Sequence, residues 1–233
     1  MEQGRVISSD KGTPQGGLIS PILANVYLHY VLDLWVEKVL KPQTPGVVRY
    51  YRYADDFVVL FQREDVARKA LIWIKERMSR FGLELAEEKT RILPIGPRTG
   101  TKEKFDFLGF TFLNGKTRKG DYTLCVVTSE KKLKAKRQSV KEWLRTRLNQ
   151  PIAATLRTIN RAIQGHCAYY GVNGNYRKIR KFADYVKVST LKMLRRRGQK
   201  HPMTWEKFNA IWRCYVKPVR IMVDIWGWKP KMV

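Results

Sequence analysis

The sequence has 233 residues, of which 44% are hydrophobic, enough for one or two folded domains and too many for a largely disordered chain. Its 46 Lys and Arg outnumber its 20 Asp and Glu, and the net charge of +26 points to a polyanionic partner such as nucleic acid. No apolar run approaches the ~20 residues of a transmembrane helix. The three separate cysteines argue against a disulfide framework or zinc ribbon and fit a reduced, cytoplasmic protein without a membrane partner.

The positive charge is concentrated in the second half of the chain. Residues 121–233 hold 26 of the basic and 6 of the acidic side chains, for a net charge of +20, whereas residues 1–120 carry a net +6. The second half is therefore the stronger candidate for contacts with a phosphate backbone.

Glycine and proline crowd residues 12–21, where the backbone must turn or approach another group closely. Ser20 followed by Pro21 predicts a helix start, with Ser20 as the N-cap, and apolar spacing predicts a helix over residues 22–40. A glycine-rich loop that opens a helix can present backbone N–H groups to a phosphate or a base pair. An ordinary loop-to-helix junction has the same composition, and the glycines alone do not exclude it.

Two runs rich in aromatic and β-branched residues, 47–53 and 57–61, flank a short Ala-Asp-Asp turn and predict a β-hairpin. The hairpin places Asp55 and Asp56 side by side at its tip. Two adjacent carboxylates repel each other, and Mg²⁺, which takes oxygen ligands from carboxylates and substrate phosphates, relieves that repulsion. A solvated Asp-Asp turn is the alternative, although the apolar strands on both sides weaken it.

The next segments predict a helix and then extended structure. Residues 63–81 have helical apolar spacing, and Gly82 is a plausible C′ residue. Residues 83–93 predict an extended segment, a short loop that holds Lys89, and a strand. The helix face that we expect to be buried comprises Val66, Ala70, Ile74 and Met78.

The middle of the chain predicts a sheet and the remainder predicts helices, so the fold class is α+β. Residues 105–112 predict a strand with one glycine for a close approach or a bulge, Asn114-Gly115 a hairpin turn, and residues 122–127 the return strand. Helices are predicted over residues 130–148, 151–165, 176–197 and 204–215, the last with Thr204 as its N-cap.

Several motifs in this order closely resemble group II intron-encoded reverse transcriptases, also called maturases. The resemblance covers nearly the whole chain. The later motifs resemble the thumb (domain X) signature and the C-terminal tail of that family. The matching stretches are Gly-Thr-Pro-Gln-Gly-Gly at 12–17, Tyr-Ala-Asp-Asp at 53–56, Gly-Leu at 82–83 with Glu-Lys-Thr at 88–90, Phe-Leu-Gly-Phe at 107–110, residues 160–170 and residues 195–208.

The resemblance implies a partial polymerase palm, an antiparallel sheet with packed helices, followed by a basic helical thumb or maturase domain. It places the C-terminal part of the fingers and palm in residues 1–125 and the thumb, domain X and tail in residues 126–233. It also implies an RNA-directed DNA polymerase that uses Mg²⁺, an RNA template, intron RNA, a DNA primer or target, and dNTPs.

The resemblance also implies roles for individual residues. Asp55 is the expected ligand of the catalytic metals, and Asp56 is a weaker or indirect one. Lys89 is the group expected to protonate or screen the leaving pyrophosphate, although a solvated lysine would look the same. The expected template and substrate contacts are Gln15, Gly16, Gly17 and Tyr53. Leu108 and Gly109 resemble the primer grip, although a plain core strand would look similar. The arginines expected to bind RNA are Arg195, Arg196 and Arg197.

The sequence departs from the family pattern in one respect. The family's first catalytic aspartate lies on an earlier palm strand, and no residue before Gly12 matches it. Asp10 is too close to residue 12 and lacks the surrounding pattern. We therefore expect a C-terminal part of a reverse transcriptase that is inactive alone, from a truncated gene, a split protein or a fragment. A separate chain or an upstream segment would supply the missing palm strand, and no endonuclease module is expected.

Three functions stay open at this point. The first is the polymerase, and the second is an intron-RNA-binding maturase remnant that assists splicing without making DNA. The third is a decayed gene product without function. The Asp55 and Asp56 pair favours an enzymatic ancestry, and the missing aspartate favours the other two.

Overall fold

A computed structural model describes residues 18–100, 102–117, 119–197 and 203–227. The chain divides into two compact units between Pro94 and Ile95. Helices and small antiparallel sheets both occur, so the predicted α+β class is confirmed. This boundary differs from the predicted one at residue 125, because the three-stranded sheet in the middle of the chain belongs to the same compact unit as the later helices. The division into family domains stays a prediction.

The elements follow the chain in the order helix, hairpin, helix, sheet and helices. The first unit contains α1 (Ser20–Leu28), π-helical turns at His29–Asp33 and Val36–Leu40, α2 (Lys41–Gln43), β1 (Val48–Tyr53), β2 (Asp56–Phe61) and α3 (Glu64–Arg80). The second unit contains β3 (Lys104–Phe107), β4 (Phe110–Lys116), β5 (Tyr122–Thr128), α4 (Glu130–Arg145), α5 (Ile152–Tyr170), α6 (Tyr176–Arg195) and α7 (Trp205–Tyr215).

The first helical segment begins and ends near its predicted bounds, but its caps differ. Ser20 is the first helical residue and Ile19 is the N-cap, so the prediction of Ser20 as N-cap is wrong by one position. The helix continues through Pro42 to Gln43, and the Thr44 hydroxyl donates to the Leu40 carbonyl at 2.9 Å. That bond satisfies a carbonyl which the end of the helix leaves without an intrahelical partner.

Helix α3 packs on the first helical segment as its spacing predicts. The four predicted positions are all buried, because residues three and four apart share one face of a helix. Gly82 is the C′ residue: its N–H donates to the Ser79 carbonyl and the Leu83 N–H to the Met78 carbonyl, each at 3.0 Å. The core of this unit comprises Val31, Leu32, Val36, Leu40, Ala70, Ile74 and Met78.

Two short-range predictions in the middle of the chain are wrong. The strand predicted after Lys89 is not formed, since residues 90–95 are irregular. Asn114 and Gly115 lie inside β4 and do not form a turn, because the chain reverses at residues 117–121. A Cβ added to Gly115 would lie 2.4 Å from the Cys125 sulfur, so this glycine permits close packing across the β4–β5 pair.

The second unit builds its core from four helices beside a three-stranded sheet of order β3-β4-β5. Helix α5 passes through Gly165 and ends at Tyr170, five residues beyond the predicted end. Thr204 caps α7 as predicted, and its side chain accepts from the Lys207 N–H. Fully buried side chains from all four helices form the core: Leu133, Leu156, Ile159, Ile163, Ile179, Phe182, Val186 and Phe208.

A buried asparagine joins the sheet to the helices of this unit. Asn175 is fully buried, and its amide nitrogen donates to the Thr128 hydroxyl and to the Tyr170 carbonyl, each at 2.8 Å. Its carbonyl oxygen accepts from the Thr128 N–H at 2.9 Å. Since a buried polar group without partners is costly, these bonds fix the end of β5 against the turn between α5 and α6.

No helix in the described ranges is both long enough and apolar enough to cross a membrane.

Candidate active site

The strands β1 and β2 form a tight hairpin with the two aspartates at its tip. Tyr53 pairs with Asp56, so only Ala54 and Asp55 form the loop. Ala54 has a φ of +53°, in the left-handed region that non-glycine residues rarely adopt. This short loop keeps the Asp55 and Asp56 carboxylates adjacent, and both side chains are exposed. The predicted hairpin is confirmed.

The two faces of the hairpin have different surroundings. One face packs against the core of the first unit through Tyr50, Phe57, Val59 and Phe61. Because side chains alternate along a strand, Tyr53 and its partner Asp56 lie on the opposite face. Tyr53 is 66% exposed there. The acidic tip and an aromatic ring therefore share one open surface.

A charged network lies behind the tip. The Arg52 Nε and Nη2 donate to the two carboxylate oxygens of Asp33 at 2.7 and 2.6 Å. The Arg52 Nη1 donates to the Ala54 carbonyl and to the Asn25 side-chain oxygen, each at 2.8 Å. Hydrogen bonding from Arg52 lowers the pKa of Asp33, so this carboxylate stays ionised at neutral pH.

Tyr50 completes the network on the core side of the hairpin. Its hydroxyl donates to Asp33 at 2.8 Å. Burial raises the pKa of the Tyr50 hydroxyl, and the hydrogen bond to Asp33 raises it further, so Tyr50 remains a neutral donor. Sequence patterns did not single out Asp33, Tyr50 or Arg52. The one signal was that Arg52 occupies an inward position of the alternating strand, where an unpaired charge would be costly.

The tip suits a cation that takes few protein ligands. Mg²⁺ commonly binds one or two carboxylates together with water and substrate phosphates, and Asp55 and Asp56 supply such a pair. Within the described ranges, no group of three or more His, Cys, Asp or Glu side chains is placed to hold a metal ion.

The other predicted site residues of the first half are only partly placed. Gln15, Gly16 and Gly17 lie outside the described residues. Lys89 is exposed in a turn, where its N–H donates to the Ala86 carbonyl at 3.0 Å. In the described part of the chain, no hydrogen bond or ion pair links Lys89 to Asp55 or Asp56, so its catalytic role stays a prediction.

Leu108 and Gly109 form a turn, and the prediction of one continuous strand across them is wrong. Both have positive φ, +50° and +79°, and Phe107 pairs with Phe110, which defines a type I′ hairpin. The Tyr169 hydroxyl donates to the Leu108 carbonyl at 2.9 Å. A Cβ on Gly109 would lie 2.7 Å from the Tyr170 hydroxyl oxygen, so the predicted close approach is real.

The three arginines at the end of α6 have different surroundings. Arg195 Nε donates to the Met203 carbonyl at 3.0 Å. Arg197 is partly buried and donates to the Arg147 carbonyl at 2.7 Å, and burial lowers the pKa of its guanidinium. Arg196 is exposed, and no hydrogen bond from its guanidinium occurs among the described residues. Arg196 is the best placed of the three for an external phosphate.

Arg196→Ala and Arg197→Ala are expected to have different effects. Arg196→Ala should reduce the log–log salt slope of RNA binding by about 0.7–0.9, the contribution of one phosphate contact, and leave stability unchanged. Arg197→Ala should lower the free energy of unfolding by about 1–2 kcal/mol, because the Arg147 carbonyl loses a charged donor. Filter binding over a salt series and urea unfolding measure the two effects. A reversed pattern would contradict this assignment.

Comparison with known proteins agrees with these observations. Residues 1–112 match the sequence model of the family described as reverse transcriptase (RNA-dependent DNA polymerase). Over 288 aligned residues, the chain is 27% identical to the group II intron-encoded protein LtrA of Lactococcus lactis subsp. cremoris. It is equally similar to LtrA of strain MG1363. Each alignment covers 87% of this chain and 46% of the relative, so the chain spans about half the length of the curated relatives it matches.

Proposed function

We propose that the chain is a reverse transcriptase of the kind encoded by group II introns, that it takes part in RNA-directed DNA synthesis and that it binds intron RNA. The substrates would be an RNA template, a DNA primer or target, and dNTPs, and the compartment the cytoplasm. The observation that carries the proposal is the exposed pair Asp55 and Asp56 at the end of a tight hairpin, next to exposed Tyr53.

Each residue has a defined task in the proposed reaction. A primer 3′ oxygen attacks the α-phosphorus of a dNTP, the bond to the pyrophosphate oxygen breaks, and pyrophosphate leaves. Asp55 and Asp56 would hold Mg²⁺, which when bound neutralises the phosphate charge. Tyr53 would contact the primer end, and Lys89 would donate a proton to the leaving pyrophosphate.

Two glycine-containing segments are proposed to contact the template and the primer. Gln15, Gly16 and Gly17 would contact the templating base and the incoming nucleotide. Leu108 and Gly109 would contact the primer backbone through their tight turn. The rigid type I′ geometry and the Tyr169 hydrogen bond support a fixed contact at this position.

We also propose a polypeptide partner for the first unit, either an upstream segment or a separate chain that carries a further palm strand. Helix α1 has no fully buried residue, and most of its apolar side chains are exposed. The β1–β2 sheet has two strands, so each has an outer edge that is unpaired among the described residues and open to an added strand. The exposed apolar residues include Ile19, Ile22, Leu23 and Val26.

The alternative function, RNA binding that assists splicing without DNA synthesis, is favoured by one specific observation. Residues 121–233 carry a net charge of +20, and they need no metal site to bind phosphate. The two functions differ in one requirement: polymerisation depends on Asp55, whereas splicing assistance does not.

The isolated chain is expected to yield no template-dependent primer extension with Mg²⁺ and dNTPs. The described residues bring together only two carboxylates, and in-line transfer needs metal ions held from more than one side. The assay compares the chain with Asp55→Ala at equal concentration. Product from the chain above that of the variant would show that it is complete as a polymerase and would overturn the proposed need for a partner.

The same assay separates the two functions when a partner is supplied. The polypeptide encoded immediately upstream, where it carries the family's first aspartate strand, is expected to restore extension. If the partner restores primer extension equally with the wild-type chain and with Asp55→Ala, the catalytic carboxylates do not include Asp55. RNA binding would then be the function of this chain.

A further inference from the structure

The backbone at the hairpin tip has an unfavourable conformation that needs support. Ala54 has a φ of +53°, which places its Cβ close to the backbone and is disfavoured for an L-residue. The Ala54 carbonyl belongs to the planar peptide group that leads into Asp55. The direction of this carbonyl therefore sets the position of the Asp55 Cα and the start of its side chain.

One side chain holds this carbonyl. The Arg52 Nη1 donates to the Ala54 oxygen at 2.8 Å. A guanidinium group is planar, with its donors in a fixed fork, so fixing one edge of the group also aims the other. In Arg52 the Nε and Nη2 edge is fixed by Asp33 through two short bonds, and the Nη1 corner points at the tip.

The support behind Arg52 is rigid. Its side chain is 11% exposed, and Asp33 follows Val31 and Leu32, which are buried in the core. Asp33 also accepts from the Tyr50 hydroxyl, and Asn25 accepts from the Arg52 Nη1 at 2.8 Å. Arg52 therefore has acceptors on both sides of its Ala54 contact, which restricts its rotation.

We propose that Arg52 is a positioning residue: it holds the Ala54–Asp55 peptide group in place and so directs the tip carboxylates. The consequence for metal binding rests on the function proposed above, whereas the positioning itself does not. Arg52 touches neither metal nor substrate in this role. It connects the exposed two-residue loop to Asp33 on the helical segment, and so restricts the conformation of the loop.

A purely structural role is the competing explanation, in which Arg52 only attaches the hairpin to the helix through Asp33. Arg52→Lys separates the two. A lysine ammonium can pair with Asp33, but it lacks the second, divergent edge that reaches the Ala54 carbonyl. The lysine variant should therefore keep the attachment and lose the control of the tip.

The test is amide NMR of the full chain without metal or nucleic acid. In Arg52→Lys, we expect shifts and line broadening at Asp55 and Asp56, small changes at Tyr51 and Val58, and a melting temperature close to that of the wild type. Arg63→Lys is the matched control, because Arg63 makes a similar two-bond pair with Asp65 away from the tip. The control should leave the tip amides unchanged.

Two results of the NMR measurement would overturn the proposal that Arg52 positions the tip. Unchanged tip amides in Arg52→Lys would overturn the proposal, and so would changes of equal size along both strands. Should Arg52→Lys fail to fold, Asp33→Asn, which keeps Arg52 but removes its charged anchor, should change the amides of Asp55 and Asp56 as well as those beside Tyr50, whose hydroxyl also donates to Asp33; unchanged tip amides in this variant would overturn the proposal. Since no metal is present, a chain without polymerase function would still pass or fail this test.

Discussion

Neutralising four exposed cations of α4 is expected to weaken binding of structured RNA by about two to three orders of magnitude at 0.15 M salt. Each phosphate contact adds about 0.7–0.9 to the slope of log affinity against log salt concentration, so a variant that loses four contacts should have a slope smaller by about 3. At 0.15 M salt, this smaller slope corresponds to the reduction in affinity stated above. The substitutions, all to glutamine, are at Lys131, Lys134, Lys141 and Arg145.

These four residues form one face of α4, which we call the α4 cationic face. Their spacing places them on one side of the helix, next to the buried face formed by Leu133, Val140 and Leu144. At 1.5 Å per residue, the face is about 21 Å long, enough to follow several phosphates. Among the described residues, neither acidic residue of α4 forms an ion pair with these four cations: Glu130 pairs with Lys178, and Glu142 accepts a hydrogen bond from Gln138.

A matched control exists in the first unit. Four exposed cations there, changed to glutamine, remove the same charge, yet three of them already pair with acidic residues and should contribute little to RNA binding. An equal decrease in affinity in the two variants would show that net charge alone drives binding, and would contradict the assignment to α4. The control positions are Arg63, Arg68, Lys69 and Lys75.

Helical periodicity and hairpin composition predicted much of the fold correctly. The buried face of α3 was predicted residue by residue, because a period of 3.6 leaves one choice of inward positions. The hairpin around Asp55 and Asp56 was predicted because β-rich runs flank a short polar turn. In both places the local preference of the chain agrees with its packing.

Sequence patterns failed where a distant residue determines the local structure. The turn at Leu108 and Gly109 was missed because leucine disfavours positive φ, and its support comes from Tyr169 on α5. Asn114-Gly115 is a strong turn signal, yet Gly115 serves to admit the Cys125 side chain. Such partners lie 10 to 61 positions away in the sequence, beyond the reach of local patterns.

Sequence patterns singled out the exposed carboxylates of the candidate site but not the charged pair that lies behind them. Asp55 and Asp56 were singled out because apolar strands flank the turn that holds them and because the Tyr-Ala-Asp-Asp motif resembles that of the family; their metal role stays a prediction. The Asp33–Arg52 pair was not recognisable, because nothing in the sequence shows that two charges 19 positions apart meet. In the arginine run at 195–197, Arg197 donates to the Arg147 carbonyl, a contact that local sequence patterns do not reveal, and RNA binding by the run stays a prediction.

Binding of Mn²⁺ to the full chain, followed by the EPR signal of the free ion, tests most directly whether the hairpin tip is a metal site. Mn²⁺ takes the same oxygen ligands as Mg²⁺ and is visible by EPR. We expect a site that Mg²⁺ displaces and whose affinity falls at least about tenfold in Asp55→Asn with Asp56→Asn, because both protein ligands lose their charge. The matched control neutralises another exposed acidic pair, Glu87→Gln with Glu88→Gln, and should bind as the wild type does. Equal Mn²⁺ binding by the wild type and the aspartate variant would contradict a metal site at the tip.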